Sequence, residues 1–306
     1  MKNLFKNAKK YASAFCVKDG SRFRLKDFDP ADTLGIKSEE KSEAEQALHI
    51  GGVEISRLQE RLYAQNRWSV LLIFQAMDAA GKDGAIKHVL SGVNPQGCEV
   101  YSFKTPSSEE LDHNFLWRCM CRLPARGRLG VFNRSYYEET LVVRVHPEVL
   151  AKEKLPPKLV TKEIWKERYQ DIRHFERHLS RNGIVVRKFF LNLSKKEQKR
   201  RFLERLGNPA KYWKFSAADA SERQRWGEYM QAYEDTIRHT ADSEAPWYVV
   251  PADNKWFARL IVSSVVIDTL SSLDLKFPEV DKAGLAELTS ARNVLKKNLL
   301  ERPSGI

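Results

Sequence analysis

The chain has 306 residues, of which 42% are hydrophobic and 30% charged, and a formal net charge of +12. That length holds one large α/β domain or two small ones with a full-sized core, and no run approaches the ~20 apolar residues of a membrane span. The positive excess calls for a polyanion, with nucleic acid, anionic lipid and a polyanionic small substrate as candidates. The first residues, MKNLFKNAKKYASAF, carry lysines but no continuous apolar stretch, so no secretory signal is expected. The lack of arginine there also argues against an organelle transit peptide. Cys16, Cys98, Cys119 and Cys121 show no CxxC spacing, so they are read as neither a disulfide frame nor a metal site. A cytoplasmic location is the expectation.

Residues 1–42 mix lysine, aspartate and short turns without a period and read as an arm draped over the domain. From Glu43 to Gln65, Leu48, Ile55, Leu58 and Leu62 form one helical stripe, which Gly51-Gly52 is predicted to interrupt. Ser69 to Phe74 is short and apolar enough for a buried strand. It leads through small residues and Gly81-Lys82 into a helical pattern from Gly84. A strand, a tight turn and a helix in that order make an anion site, because the helix's first N–H groups and its dipole face the turn. Gly81 lets the backbone approach phosphate oxygens, and Lys82 brings a mobile positive charge.

The strict pattern G-x-x-x-x-G-K-[ST] is not met. Ala76 replaces its first glycine, and Asp83 replaces the hydroxyl that would bind Mg²⁺. Asp78 inside the loop would repel phosphate unless a metal ion lay between them. The loop reads as a phosphate site that needs a carboxylate more than a hydroxyl.

Further along, 91–97 is a loop, Cys98 to Phe103 a strand, and Glu109 to Cys121 a helix capped by Ser107 with Glu110. Residues 123–130 turn, and Val131-Phe132 ends a strand directly before Asn133-Arg134. Thr161 to Asn182 is an amphipathic helix with Ile164, Ile172, Phe175 and Leu179 inward. Ile184 to Leu191 and Trp247 to Val250 are strands, and Trp256 to Leu270 is a helix. Strands alternating with helices predict an α/β fold whose parallel sheet binds ligand at its carboxyl ends.

At one such end, Asn133 can offer its carbonyl oxygen to a metal ion, and Arg134 can hold phosphate in a bidentate way. The densest basic run, Ser194 to Arg205, follows another strand end, where a mobile cationic lid is expected at about 194–235, hinging on Phe202, Leu203 and Leu206. Asp253-Asn254-Lys255 reads as a turn and helix cap. His174 and His178 lie one turn apart without a third ligand, so zinc is not expected.

Five blocks in order resemble the polyphosphate kinase 2 family: QAMDAAGKDGAIKHV, YSFKTPSSEELDHNFLWR, GVFNRSYYEE, the basic run with NPAKYWKFS after it, and APWYVVPADNKWFARLIV. The resemblance spans about Leu48 to Leu270. It implies a P-loop kinase-like, three-layer α/β/α fold with a parallel central sheet and a helical lid, in a single domain over 43–306. It also implies transfer of the terminal phosphoryl group of inorganic polyphosphate to a nucleoside mono- or diphosphate, reversibly and with Mg²⁺ (or Mn²⁺). Adenine nucleotides are the implied acceptors, with guanine nucleotides as a further case, and a homodimer or homotetramer is the implied assembly.

Carried onto this chain, Lys82 and the loop residues Ala79, Ala80, Gly81, Asp83 and Gly84 would hold phosphate. Asp78, with Asn133, would bind the metal ion. Arg134, Arg200 and Arg201 would clamp the transferring group, while Lys87, Lys199 and Arg205 would line a path for the polymer. Phe103 and Thr105 are placed at the nucleoside. Many members read F-D-R-S-W-Y-N-R where this chain has Phe132-Asn133-Arg134-Ser135-Tyr136-Tyr137-Glu138-Glu139. With Asn133 in place of that aspartate and Glu138 in place of that asparagine, the chain resembles the subgroup acting on both AMP and ADP, which places Glu138 at the nucleotide. The rival readings are an ATP-dependent nucleotide kinase and a nucleic-acid-binding protein. Few aromatics interleave with the basic run, so neither nucleic acid nor a membrane is the expected partner.

Overall fold

The computed structural model describes residues 8–37 and 41–300. Its centre is a six-stranded sheet ordered β1-β6-β5-β2-β4-β3. The strands are β1 (Cys16–Val17), β2 (Ser69–Gln75), β3 (Cys98–Ser102), β4 (Leu129–Asn133), β5 (Ile184–Asn192) and β6 (Trp247–Pro251). β2 pairs in parallel with β4 on one side and β5 on the other. The chain leaves β2 for the edge strand β3 and returns through β4, so the order reverses beside β2. A crevice opens at such a switch point, outside the carboxyl ends of the strands.

Every residue of β2 is buried, and its side chains alternate between two cores. Val70, Leu72 and Phe74 face one layer of helices: α1 (Ala8–Ala14), α2 (Lys41–Gln65), α3 (Lys82–Val89) and α12 (Lys255–Ser271). Leu71 and Ile73 face the other, which includes α8 (Ile164–Arg181) and α11 (Trp226–Thr240). A strand covered on both faces has no polar side, which is why Val70 to Phe74 reads as an unbroken apolar run. Between these elements lie the short helices α4 (Ser108–Leu111), α5 (Trp117–Met120), α6 (Val142–Val145) and α7 (Pro147–Leu150). The lid region comprises α9 (Lys195–Leu206), a 3₁₀ segment at Pro209–Lys214 and α10 (Ala217–Glu222), and a last helix, α13 (Lys282–Leu300), follows α12. No helix among the described residues is long and apolar enough to cross a membrane.

Three local expectations need correction. The described part of the arm is built into the fold: α1 buries Ala8 and Ala12 against the α12 side, and β1 adds an antiparallel edge to an otherwise parallel sheet. Residues 1–7 and 38–40 of that arm lie outside the described residues. Gly51-Gly52 does not break α2, which runs unbroken through both. A side chain on Gly52 would begin 3.0 Å from the Ser91 carbonyl, so the glycine serves close packing rather than a turn. Finally, the helix expected from Glu109 to Cys121 is two short helices. The Ser107–Glu110 capping box starts α4, but Asn114 Oδ1 then accepts from Leu116 N (3.0 Å) and turns the chain before α5.

Candidate active site

The loop after β2 is fixed by backbone conformations that few residues adopt. Gly81 caps α3 at φ +104°, where glycine is unstrained. Ala79 at φ +65° and Arg134 at φ +65° are left-handed without being glycine, a strain concentrated at functional sites. The Arg134 amide still donates to Phe74 O (3.0 Å), so its turn begins as a continuation of the sheet. That turn brings its guanidinium to Asp78 and to Glu138, 3.5 Å from each.

Lys82 Nζ rests on the Ala76 carbonyl at 2.8 Å. Burial pushes its pKa down, the neighbouring Arg134 pushes the same way, and Asp78, Glu138 and Asp83 oppose them. Burial raises the pKa of Glu138, against the pull of Arg134 and Lys82. The Gln75 amide, oriented to satisfy its neighbours, donates to Glu138 Oε1 (2.8 Å) and accepts from Ser135 N and Oγ, so the carboxylate is held in place.

Two cavities meet at this cluster. A trough of about 960 Å³ runs over the phosphate loop, and a side chamber of about 290 Å³ lies beyond it; Met77, Asp78 and Arg134 line both. Their charge differs. Eight cationic side chains line the trough against four carboxylates. In the chamber, Asp78, Glu138 and Glu222 outnumber Arg134 and His146.

The structure gathers most of the expected residues on the trough wall: Asp78, Ala79, Ala80, Gly81, Lys82, Asp83, Gly84, Thr105, Asn133, Arg134 and Arg205. Glu138 lines the chamber. Lys87, Lys199 and Arg200 line neither cavity. Arg200 is 62% exposed and paired with Glu197 and Glu204, so the clamp read into it is not assembled. Arg201 edges the trough but is 3% exposed, its donors turned to backbone carbonyls. Phe103 reaches the trough, yet it is buried, in a T-shaped pair with Phe132 (ring centroids 4.9 Å) and with Arg118 5.6 Å over its ring, so little of it is open to a base. The apolar hinge is also only partial, because Phe202 is buried while Leu203 and Leu206 are exposed.

Among the described residues, no group of three or more His, Cys, Asp or Glu is gathered as a metal cage. Nor do Asp78 and Asn133 share a partner: Asn133 Nδ2 donates to Asp83 Oδ1 (2.7 Å), while Asp78 pairs with Arg134. Two aspartates and an amide oxygen on one wall still fit a hard ion that keeps several waters and takes only one or two protein carboxylates.

Sequence reasoning missed Lys211, Trp213, Asp219 and Arg259 on the trough, and His146, Glu222, Tyr229 and Tyr233 in the chamber. For Arg259 a signal was present: Lys255 and Arg259 stand one turn apart at the start of a helix that follows a strand end. The chamber residues come from distant segments and carry no local pattern.

A phosphate loop at the switch point of a parallel sheet, beneath a cationic trough, defines a P-loop kinase-like protein. The polyphosphate kinase 2 family model matches residues 38–278. The chain is 55% identical over 260 residues to the ADP-polyphosphate phosphotransferase of Rhodopseudomonas palustris, covering 85% of this chain and 90% of that one. It is 43% identical over 267 residues to the AMP/ADP-polyphosphate phosphotransferase of Meiothermus ruber, covering 87% and 96%. The crystal structure of polyphosphate kinase 2 from Arthrobacter aurescens TC1 superposes with a TM-score of 0.83 at 38% identity, covering 92% and 96%. The chain belongs to the polyphosphate kinase 2 family.

Proposed function

We propose that this protein transfers the terminal phosphoryl group of inorganic polyphosphate to AMP and ADP, reversibly. The observation that carries the reading is the meeting of two cavities of opposite charge character at Lys82, Asp78 and Arg134. An open trough rich in cations suits a long polyanion, and a small chamber rich in carboxylates would repel one but accept an uncharged nucleoside. The donor accordingly lies in the trough, its chain running over Gly84 toward Lys255 and Arg259, with Arg205 and Lys211 on the lid side. The acceptor's nucleoside occupies the chamber in place of the Phe103 position, and its phosphate reaches the seam.

In the transfer, an anionic phosphate oxygen of the acceptor forms a bond to the terminal phosphorus, and the bridging P–O bond to the next phosphate breaks. The shortened chain leaves as an oxyanion, and no proton need move. Lys82 exchanges its contact with Ala76 O for the transferring group, while Arg134 holds acceptor and transferring phosphates together. Mg²⁺, or Mn²⁺ in its place, would be held by Asp78 with Asp83 and Asn133 as further oxygen donors, and it supplies neutralisation of phosphate charge.

The test is to incubate the protein with Mg²⁺, long-chain polyphosphate and either AMP or ADP, and to separate the nucleotides by chromatography. ADP formed from AMP and ATP formed from ADP are expected. ATP from ADP alone would remove AMP as an acceptor. Turnover with ATP and none with polyphosphate would overturn the donor assignment.

A further inference from the structure

Arginine carries five N–H donors, and in Arg201 all five are used. Nε donates to Glu197 Oε1 at 2.7 Å. Nη1 donates to Ala79 O (3.0 Å) and Ala80 O (2.9 Å), and Nη2 to Ala252 O (2.6 Å) and Asp253 O (2.9 Å). The side chain is buried, with no N–H left for a phosphate. One turn earlier on the same helix face, Gln198 Nε2 donates to Asp78 O at 3.0 Å. Thus α9 holds three consecutive carbonyls of the phosphate loop.

We infer that Arg201 is a positioning residue, which turns the Ala79 and Ala80 carbonyls away from the trough and so keeps the loop's amides aimed at the donor phosphates. The inference rests on the phosphate-binding reading of that loop given above. A second observation supports it independently. Ala79 sits at φ +65°, a conformation a non-glycine residue keeps only where its surroundings impose it, and the Arg201 contact is made to that residue's own carbonyl. Carbonyl oxygens facing into the loop would repel phosphate, so a slackened loop binds donor poorly even with Lys82 intact. Lysine at position 201 keeps the charge but has three donors on a single atom, and it cannot span carbonyls from two strand ends.

The experiment compares wild type with Arg201→Lys, first without any ligand. Thermal unfolding checks the fold, and hydrogen exchange is followed at the two loop-dependent amides that are bonded without ligand, Ala80 N to Met77 O (3.3 Å) and Ala85 N to Gly81 O (2.9 Å). Exchange there is expected to rise about tenfold or more while the rest of the sheet keeps its protection. With substrates, the KM for polyphosphate is expected to rise about tenfold, together with a fall in kcat of up to about 10²-fold from misplacement. Ala79→Gly in the Arg201→Lys background should restore part of the loop's protection and of the donor KM, since glycine adopts that φ freely.

A direct clamp on the transferring group predicts another pattern: kcat falls alone, donor KM stays constant, and loop exchange without ligand is that of wild type. That pattern, or wild-type kinetics in Arg201→Lys, would overturn the inference. If Arg201→Lys does not fold, Glu197→Gln weakens the Nε anchor, together with the exposed Arg200 pair, while leaving the four carbonyl contacts of Arg201, and a smaller change in the same two readouts is required of it. Loop exchange is read without substrate, so it stands even if polyphosphate proves not to be the donor.

Discussion

Lys255 and Arg259 give the sharpest test of how the donor lies. Both project from the first turns of α12 into the trough, and a side chain on Gly84 would begin 3.7 Å from Arg259 Nη2, so Arg259 stands directly over the loop helix. A unit charge pair about 4 Å apart is worth about 1 kcal/mol in water and about 4 kcal/mol at the effective dielectric of a protein surface. Lys255 is exposed and Arg259 half-buried, which places each near the lower end, at about 1.4 kcal/mol or a factor of about 10. Lys255→Gln with Arg259→Gln is therefore expected to raise the KM for long-chain polyphosphate by about 10²-fold. The KM for AMP or ADP should stay constant. Each lost phosphate contact also releases fewer counterions, so the slope of log KM against log salt should flatten by about 1 per residue removed. The assay is initial rate against donor concentration at several salt concentrations, with a long chain and with triphosphate, whose few phosphates the loop itself can hold. An equal rise for both donors, or a rise confined to the nucleotide, would refute the placement of the chain over Gly84 toward α12.

Four other expectations follow from the same geometry. Val142→Trp fills the side chamber and should raise the KM for AMP and ADP about tenfold or more while leaving the KM for polyphosphate unchanged; the reverse outcome would exchange the two cavities' roles. Burial and Arg134 hold the Lys82 pKa below its ordinary 10.5, so its cation is lost earlier as pH rises. The alkaline limb of kcat/KM should therefore lie below that value and move up in Arg134→Gln, which a pH–rate profile of each enzyme would check. His146 ties the lid to the core, with Nδ1 at Glu148 and Nε2 at Glu222, 2.9 Å each. Burial would lower its pKa, but the contacts to Glu222 and Glu148 outweigh this and raise it. The stability it adds is then full below about pH 6.5 and lost as pH rises through its raised folded value. His146→Gln should accordingly lower Tm more at pH 6 than at pH 9, and an equal loss at both would count against the charged clasp. In the core, Lys188 Nζ meets Glu176 (2.6 Å), Tyr137 and Thr240, all buried. Lys188→Met strands that carboxylate and should cost about 3–5 kcal/mol in chemical denaturation, whereas an unchanged midpoint would contradict the network.

The sheet was legible because a doubly covered strand is mostly apolar: Val70 to Phe74 of β2 and Trp247 to Val250 of β6 are unbroken runs, and β5 departs from this at the buried Lys188. The trough floor was legible for a related reason: Gly81-Lys82 must follow β2 directly, and Asn133-Arg134 must follow β4. Strand ends place such residues with little help from the rest of the chain. Gly51-Gly52 misled because local propensity counts the cost of glycine in a helix, while the gain, close approach to Ser91, lies in a segment about forty residues away.

The basic run of α9 shows the limit most clearly. Read as composition, Lys199, Arg200, Arg201 and Arg205 are one block of charge facing one ligand. On a helix, consecutive residues point about 100° apart, so the block must disperse. Arg200 goes to solvent with Glu197 and Glu204, Arg201 goes inward to four carbonyls, and Arg205, one turn on from Arg201, faces the trough. Which of these fates falls to which residue depends on where α9 rests against the phosphate loop. That contact is made by Gln198 and Arg201 with backbone carbonyls, and a carbonyl leaves no trace in the sequence. Charge in a sequence thus announces that a polyanion is expected, while the side chain that meets it is chosen by packing.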